Sequence, residues 1–169
     1  LTICFGEEEY VDGVTITHHQ FYEKLVESDI LPTTSQASPS AFMKVFDEVL
    51  GPDDSAVVLT ISSKLSGTCQ SALIAAAEYP NVHVVDGSSA AIGSGILAEY
   101  ALRLVDMGKS AEEIASILEE KKKDVCLIAM LDTLEYLKKG GRLSSTVAFA
   151  GGLLNIKPVV NIEDGEIHI

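Results

Sequence analysis

Basic residues are scarce in this chain: 12 Lys and Arg stand against 25 Asp and Glu, for a net charge of −13. Nucleic acid and anionic membrane need a basic face, so the balance argues against both as partners. Cysteine is sparse as well. Cys4, Cys69 and Cys126 form no CxxC and no zinc-like spacing, which fits a reducing cytosol and a cytoplasmic protein. No apolar run reaches the roughly 18–20 residues of a membrane span. No basic-then-apolar signal opens the chain. The nucleotide cradle GxxxxGK[ST] is missing, and so is the hydrolase elbow GxSxG. "GSGILA" from Gly93 matches GxGxxA, but it lies past its strand and inside a helix, the wrong place for a dinucleotide fingerprint. No His, Cys, Asp and Glu set has metal spacing, and no carboxylate pair is placed for acid–base work.

What remains is an ordinary globular composition over 169 residues, 47% hydrophobic and 22% charged, enough for one domain or two small ones. "LTICF" reads as a strand. Thr17 to Gln20 is a capping box, followed by a helix with Phe21, Tyr22, Leu25 and Val26 on its apolar face. "LPTTSQASP" reads as a polar loop ending at Ser38, which caps a second helix with Pro39 at its first position. That helix offers Phe42, Val45, Phe46 and Val49 to a core. Strands follow at Ser55 to Ile61, Asn81 to Asp86 and Asp124 to Met130. Helices lie between them, from about Gly67 to Tyr79, through Val105, and from the Ser110–Glu113 capping box to Lys122. Asp132 and Glu135 are expected to cap a short helix that stops at Gly140-Gly141. Ser144 or Ser145 starts another toward Leu154. "PVVNIEDGEIHI" reads as a hairpin about an Asp164-Gly165 turn.

Strands alternating with helices predict an α/β fold, a parallel sheet with helices on both faces. The terminal hairpin differs in kind. We therefore expect an α/β domain over residues 1–123 and the beginning of an α+β domain over 124–169. Both ends read as cut from a longer chain.

Three hydroxyl clusters stand out: "TTSQ", "SSKLSGT" after the first buried strand, and "DGSSAA" after the second. The last two fall at the carboxyl ends of parallel strands, where open α/β sheets bind ligands. Hydroxyls and free N–H groups at a helix start suit a carboxylate or phosphate. Capping needs about one hydroxyl per helix, and four in seven residues exceed it. Ser66 is the first candidate, with Ser62 and Ser63 nearer to capping roles. His83 reads as a core residue and His18 and His19 as solvated ones. Lys138, Lys139 and Arg142 form a dense cationic patch about a double-glycine helix stop. The lysines suit a helix C-terminus, and Arg142 is freer to meet a ligand. Phe21, Phe42, Phe46, Leu65, Leu153 and Leu154 are apolar enough to wall a pocket. An anion-binding neck with an apolar wall suits an acid with a hydrocarbon tail. A serine-dependent acyl hydrolase using Ser66, or a small-anion-binding domain, fits the same residues.

"TTSQASP", "ISSKLSGTCQSA", "VVDGSSAAIGSG", "LDTLEYLKKGGRLSS" and "LLNIKPVV", in this order, resemble the DegV family of bacterial fatty-acid-binding proteins. The family includes the acyl-carrying subunit of fatty acid kinase. The resemblance implies an N-terminal α/β domain, a C-terminal α+β domain and one long-chain fatty acid in a tunnel between them. It places the carboxylate on Thr34 and Ser66, with Ser35, Ser62, Gly67, Thr68 and Arg142 in support. It implies no catalysis by this chain alone and no cofactor beyond the bound lipid. A separate kinase subunit, related to dihydroxyacetone kinases, would phosphorylate the acid to an acyl phosphate. The chain departs from the family pattern in three places. A first strand with a T-D-S motif is expected before Leu1. A histidine that reaches the carboxylate is expected after Ile169. Cys69 stands where an aromatic is frequent.

Overall fold

A computed structural model describes residues 1–143 and 157–169. The chain opens with β1 (Thr2–Phe5) and β2 (Glu8–Val11), an antiparallel pair. Period-two alternation sends Ile3 and Phe5 to one face, where they are buried with Ile16 against Tyr10 and Phe21. Phe21 belongs to α1 (His18–Glu27), whose capping box forms as expected: Gln20 N–H donates to the Thr17 hydroxyl and the Gln20 side chain reaches back. Tyr22 and Val26 are exposed, so α1 presents a narrower apolar face than its sequence offers.

The "TTSQ" segment departs from its reading as a loop. Thr33–Ser35 form β3, which pairs antiparallel with β1 and completes the sheet order β2-β1-β3. Three polar residues carry no strand pattern. The unpaired edge of β1 supplies the hydrogen bonds that make them a strand.

Ser38 then caps α2 (Pro39–Val49) by accepting the Ala41 N–H at 3.2 Å. Phe46 is buried and Phe42 half-buried, but Val45 and Val49 are exposed, contrary to expectation. The covered face consists of Phe42, Met43, Phe46 and Leu50, and at about 100° per residue its centre is rotated toward Met43 and away from both valines.

β4 (Ala56–Thr60), α3 (Thr68–Ala76) and β5 (Val82–Asp86) form a βαβ unit, β4 and β5 parallel from Ala56↔Val82 to Thr60↔Asp86. Two further helices follow, α4 (Ala91–Asp106) and α5 (Ala111–Lys121), the latter with the Ser110–Glu113 capping box formed. Alternate strand residues serve opposite layers. Val57 and Leu59 pack with Val85 against Leu97, Leu104, Ile114 and Leu118 of α4 and α5. Ala56 and Val58 pack with Val82 against Phe46 of α2 and Ala75 of α3. The fold class is thus α/β, a parallel pair with helices on both faces.

Beyond a 3-10 turn at Lys122–Asp124 the strands change sense. β6 (Leu127–Met130), β7 (Val159–Glu163) and β8 (Glu166–His168) make an antiparallel sheet in that order. The β7–β8 turn has positive φ at both Asp164 (50°) and Gly165 (81°), the two-residue turn that Asp-Gly favours. Between β6 and β7, α6 (Glu135–Lys139) ends at Gly140-Gly141, with Gly141 at φ 73°. Asp132 does not cap α6. The Thr133 hydroxyl accepts the Glu135 N–H at 3.1 Å, and Asp132 pairs with Lys157 at 2.8 Å. The helix expected from Ser144 or Ser145, with Leu153 and Leu154, lies outside the described residues.

Candidate functional site

The site lies where β4 and β5 end side by side. Gly87 N–H donates to the Thr60 carbonyl at 3.0 Å, tying the two exits together. The Asp86 carboxylate accepts the Ser88 N–H at 2.9 Å and the Ser63 N–H at 3.2 Å, so one side chain holds both loops. Burial pushes the Asp86 carboxyl up. Hydrogen bonds from the Ser63 side chain and from the Ser88 and Ser63 backbones, with the Lys122 charge, outweigh it and leave the group below its ordinary value. Among the described residues, three buried hydroxyls around this edge have no hydrogen-bond partner: Thr60, Ser89 and Ser94.

Ser62 is the hub of the first loop and is fully buried. Its N–H donates to the Ser89 carbonyl at 2.8 Å. Its carbonyl accepts the N–H groups of Leu65 and Ser66 at 3.0 and 3.1 Å. Its hydroxyl accepts the Lys64 N–H at 3.1 Å and donates to the Gly165 carbonyl at 2.6 Å.

Ser66 is half-buried at the start of α3. Its hydroxyl accepts the Thr68 N–H at 3.2 Å and lies 2.9 Å from the Thr68 hydroxyl. With Thr68 as donor, both Ser66 lone pairs are filled and its own O–H is left for an incoming acceptor. Gly67, the N-cap of α3, supplies no side-chain cap, so the first-turn N–H groups add to the local positive potential.

The "TTSQ" segment reaches this loop through Gln36. Its Nε2 donates to the Ser71 hydroxyl at 3.0 Å, and its amide lies over Gly67 so closely that any Cβ there would collide. Thr34 and Ser35 are exposed on β3, opposite Ile3 and Thr2. The structure therefore brings the two hydroxyl segments together through Gln36 and Gly67, with no Thr34–Ser66 hydrogen bond among the described residues.

Arg142 approaches from the other side. Its Nε donates to the Leu65 carbonyl at 3.2 Å and its Nη1 to the Gly140 carbonyl at 2.5 Å. With Lys64, Leu65, Gly141, Glu166 and Ile167 it lines a cavity of about 160 Å³. Lys139 pairs with Glu135 at 2.5 Å within α6. Of the pocket-wall candidates, Phe21, Phe42 and Phe46 belong to the packed core, and Leu65 lines this cavity. Ile61, Ile92 and Ile96 were not anticipated. They are 39%, 72% and 52% exposed. Ile61 follows β4, and Ile92 and Ile96 share one face of α4, so apolar surface flanks the same edge.

His83 is half-buried in β5 opposite Val57, and His19 pairs with Glu23 at 3.0 Å. The side-chain partner of Ser66 is Thr68 rather than a histidine. Among the described residues no group of three or more His, Cys, Asp and Glu is placed to hold a metal, and no helix is long and apolar enough to cross a membrane. Gln36, Asp86 and Gly165 are the site builders missed at the sequence level. Gln36 stood inside the quoted "TTSQ" motif and Asp86 at the head of "DGSSAA", while Gly165 carried no signal beyond making a turn.

Fold and site together define an α/β protein with a hydroxyl-rich site at the carboxyl edge of a parallel strand pair. The chain belongs to the DegV family: the model described as "Uncharacterised protein, DegV family COG1307" matches residues 1–169. It is 41% identical over 171 residues to a DegV domain-containing protein of Caldanaerobacter subterraneus, covering 100% of this chain and 61% of that one. Among solved structures it is similar to a fatty-acid-binding DegV family protein of Thermus thermophilus, with TM-score 0.86, 39% identity, and 98% and 60% of the two chains covered. It is also similar to a stearic-acid-binding protein of Eubacterium ventriosum, with TM-score 0.86, 30% identity, and 98% and 59% covered. The chain spans about 60% of the length of the curated relatives it matches.

Proposed function

We propose that this chain carries the head-group end of a site for a long-chain fatty acid. The observation that carries the proposal is the Ser66 hydroxyl, which accepts the Thr68 N–H and lies 2.9 Å from the Thr68 hydroxyl; with Thr68 donating there, the Ser66 O–H is left for an incoming acceptor. A fatty-acid carboxylate is the acceptor that fits, with Thr34 as its second donor and Ser35, Ser62, Gly67, Thr68 and Arg142 shaping the surroundings. The exposed isoleucines Ile61, Ile92 and Ile96 offer apolar surface for the first part of the tail. Relatives described as binding fatty acids support the same reading.

The chain binds and presents the acid rather than transforming it. A carboxylate held by hydroxyls and amides keeps its charge partly uncompensated and stays reactive, whereas a buried ion pair with Lys or Arg would hold it more tightly. That suits delivery to a separate dihydroxyacetone-kinase-like subunit for phosphorylation in the cytoplasm. In the whole protein, residues 1–123 form the α/β domain and residues 124–169 begin the α+β domain, with the tail between them. Lipid extraction and native mass spectrometry of the full-length protein should find one long-chain acid per molecule. An empty protein that also fails to bind oleate would sink the proposal.

A further inference from the structure

Ser62 and Gly165 are 103 residues apart in sequence, yet the Ser62 hydroxyl donates to the Gly165 carbonyl at 2.6 Å inside the protein. Gly165 is buried at the tip of the β7–β8 hairpin. A Cβ on it would lie 2.5 Å from the Ser62 hydroxyl oxygen, and its φ of 81° suits glycine. The same hairpin carries a second grip. Leu143 bridges to Ile167 of β8, and the adjacent Arg142 holds the Leu65 carbonyl at 3.2 Å. Gly165 at the hairpin tip and Arg142 beside the Leu143 bridge thus hold the five-residue turn Ser62 to Ser66 at Ser62 and at Leu65. Ser62 passes the constraint on, because its carbonyl accepts the Ser66 N–H and its hydroxyl the Lys64 N–H.

Resting on the fatty-acid reading above, we infer that Ser62 is a positioning residue: the β7–β8 hairpin sets the Ser66 hydroxyl for the carboxylate through the Ser62–Gly165 hydrogen bond. Neither group touches the ligand. The head-group loop of one sheet is thereby registered to the sheet that follows it, and carboxylate affinity becomes sensitive to how that hairpin sits. Ser62 and Ser63 look equivalent in sequence, yet only Ser62 has every polar atom engaged.

The test uses the full-length protein with Ser62→Ala, because Gly165→Ala strains the turn and risks misfolding. Amide hydrogen exchange in the ligand-free protein should speed up at Lys64 and Ser66. The Kd for oleate should rise about ten-fold, the size expected of one buried hydrogen bond, while that for methyl oleate changes by less than about two-fold. In a Ser66→Ala background the same substitution should add less than about two-fold, since its route to the ligand is gone. Unchanged exchange would overturn the hairpin's hold on the loop. Faster exchange with unchanged oleate affinity, or equal losses for oleate and methyl oleate, would overturn the positioning role. A wild-type protein that binds no oleate removes the fatty-acid reading, while the exchange rates still decide whether the hairpin holds the loop.

Discussion

At Ser66 a single hydroxyl accepts the N–H of its neighbour two residues on, and with the Thr68 hydroxyl donating to it as well its own proton is free to give. Removing that oxygen should cost the bound state one hydrogen bond to a charged group. Ser66→Ala is expected to weaken oleate binding by ~1.5–3 kcal/mol with the fold intact, measured by fluorescence titration and circular dichroism. Unchanged affinity would place the head group elsewhere. Gly67 beside it has a different reason to be small: the Gln36 amide lies on it. The serine-rich stretch pointed to this turn from the start. Which hydroxyl would donate outward was not legible, because the choice rests on which partner each one finds. Ser62 turns inward to Gly165, and Ser66 meets Thr68.

Among the elements, helix starts are the most local features and follow the residue pattern closely. Thr17, Ser38 and Ser110 each accept a backbone N–H three residues on. Ser110→Ala should cost about 1 kcal/mol and lower Tm by a few degrees, because the Glu113 N–H loses its acceptor while only the Glu113 side chain on the Ser110 N–H remains of the α5 capping box. A thermal melt unchanged by that substitution would show that tertiary packing alone holds α5. Strands β4 and β5 are legible for a similar reason, being short β-branched runs between turns. β3 is not, since three polar residues become a strand only beside β1. The apolar faces of α1 and α2 were legible as to period but not as to width. Period marks candidates for burial, and the neighbouring layer decides how many are covered.

For the whole molecule, the two loops at the sheet's carboxyl edge are joined through Asp86, and its protonation state therefore matters to folding. The native fold holds its pKa below the ordinary 3.8. A lowered carboxyl pKa contributes stability that is complete above the unfolded value and is lost as pH falls through the native one. Urea midpoints on either side of 3.8 should thus fall more steeply with acidification in the wild type than in Asp86→Asn. Parallel slopes would show that Asp86 does not link the loops to stability. The acidic balance of −13 sets no fold and argues against polyanionic partners.

The sequence by itself determined the α/β class, the helix starts, the two parallel strands, the Asp-Gly turn and the hydroxyl clusters at the strand ends. These depend on interactions within about four positions along the chain, or on a period of 2 or 3.6, and both are written in residue order. Tertiary structure alone decided that "TTSQ" pairs with β1, that Gln36 covers Gly67, and that Asp86 joins two loops. It also set the hairpin tip against Ser62. Each of these is a hydrogen bond or a close approach between residues remote in sequence. No local propensity encodes such a pair; it exists only once the layers have packed and left a buried donor beside an acceptor that no water can serve.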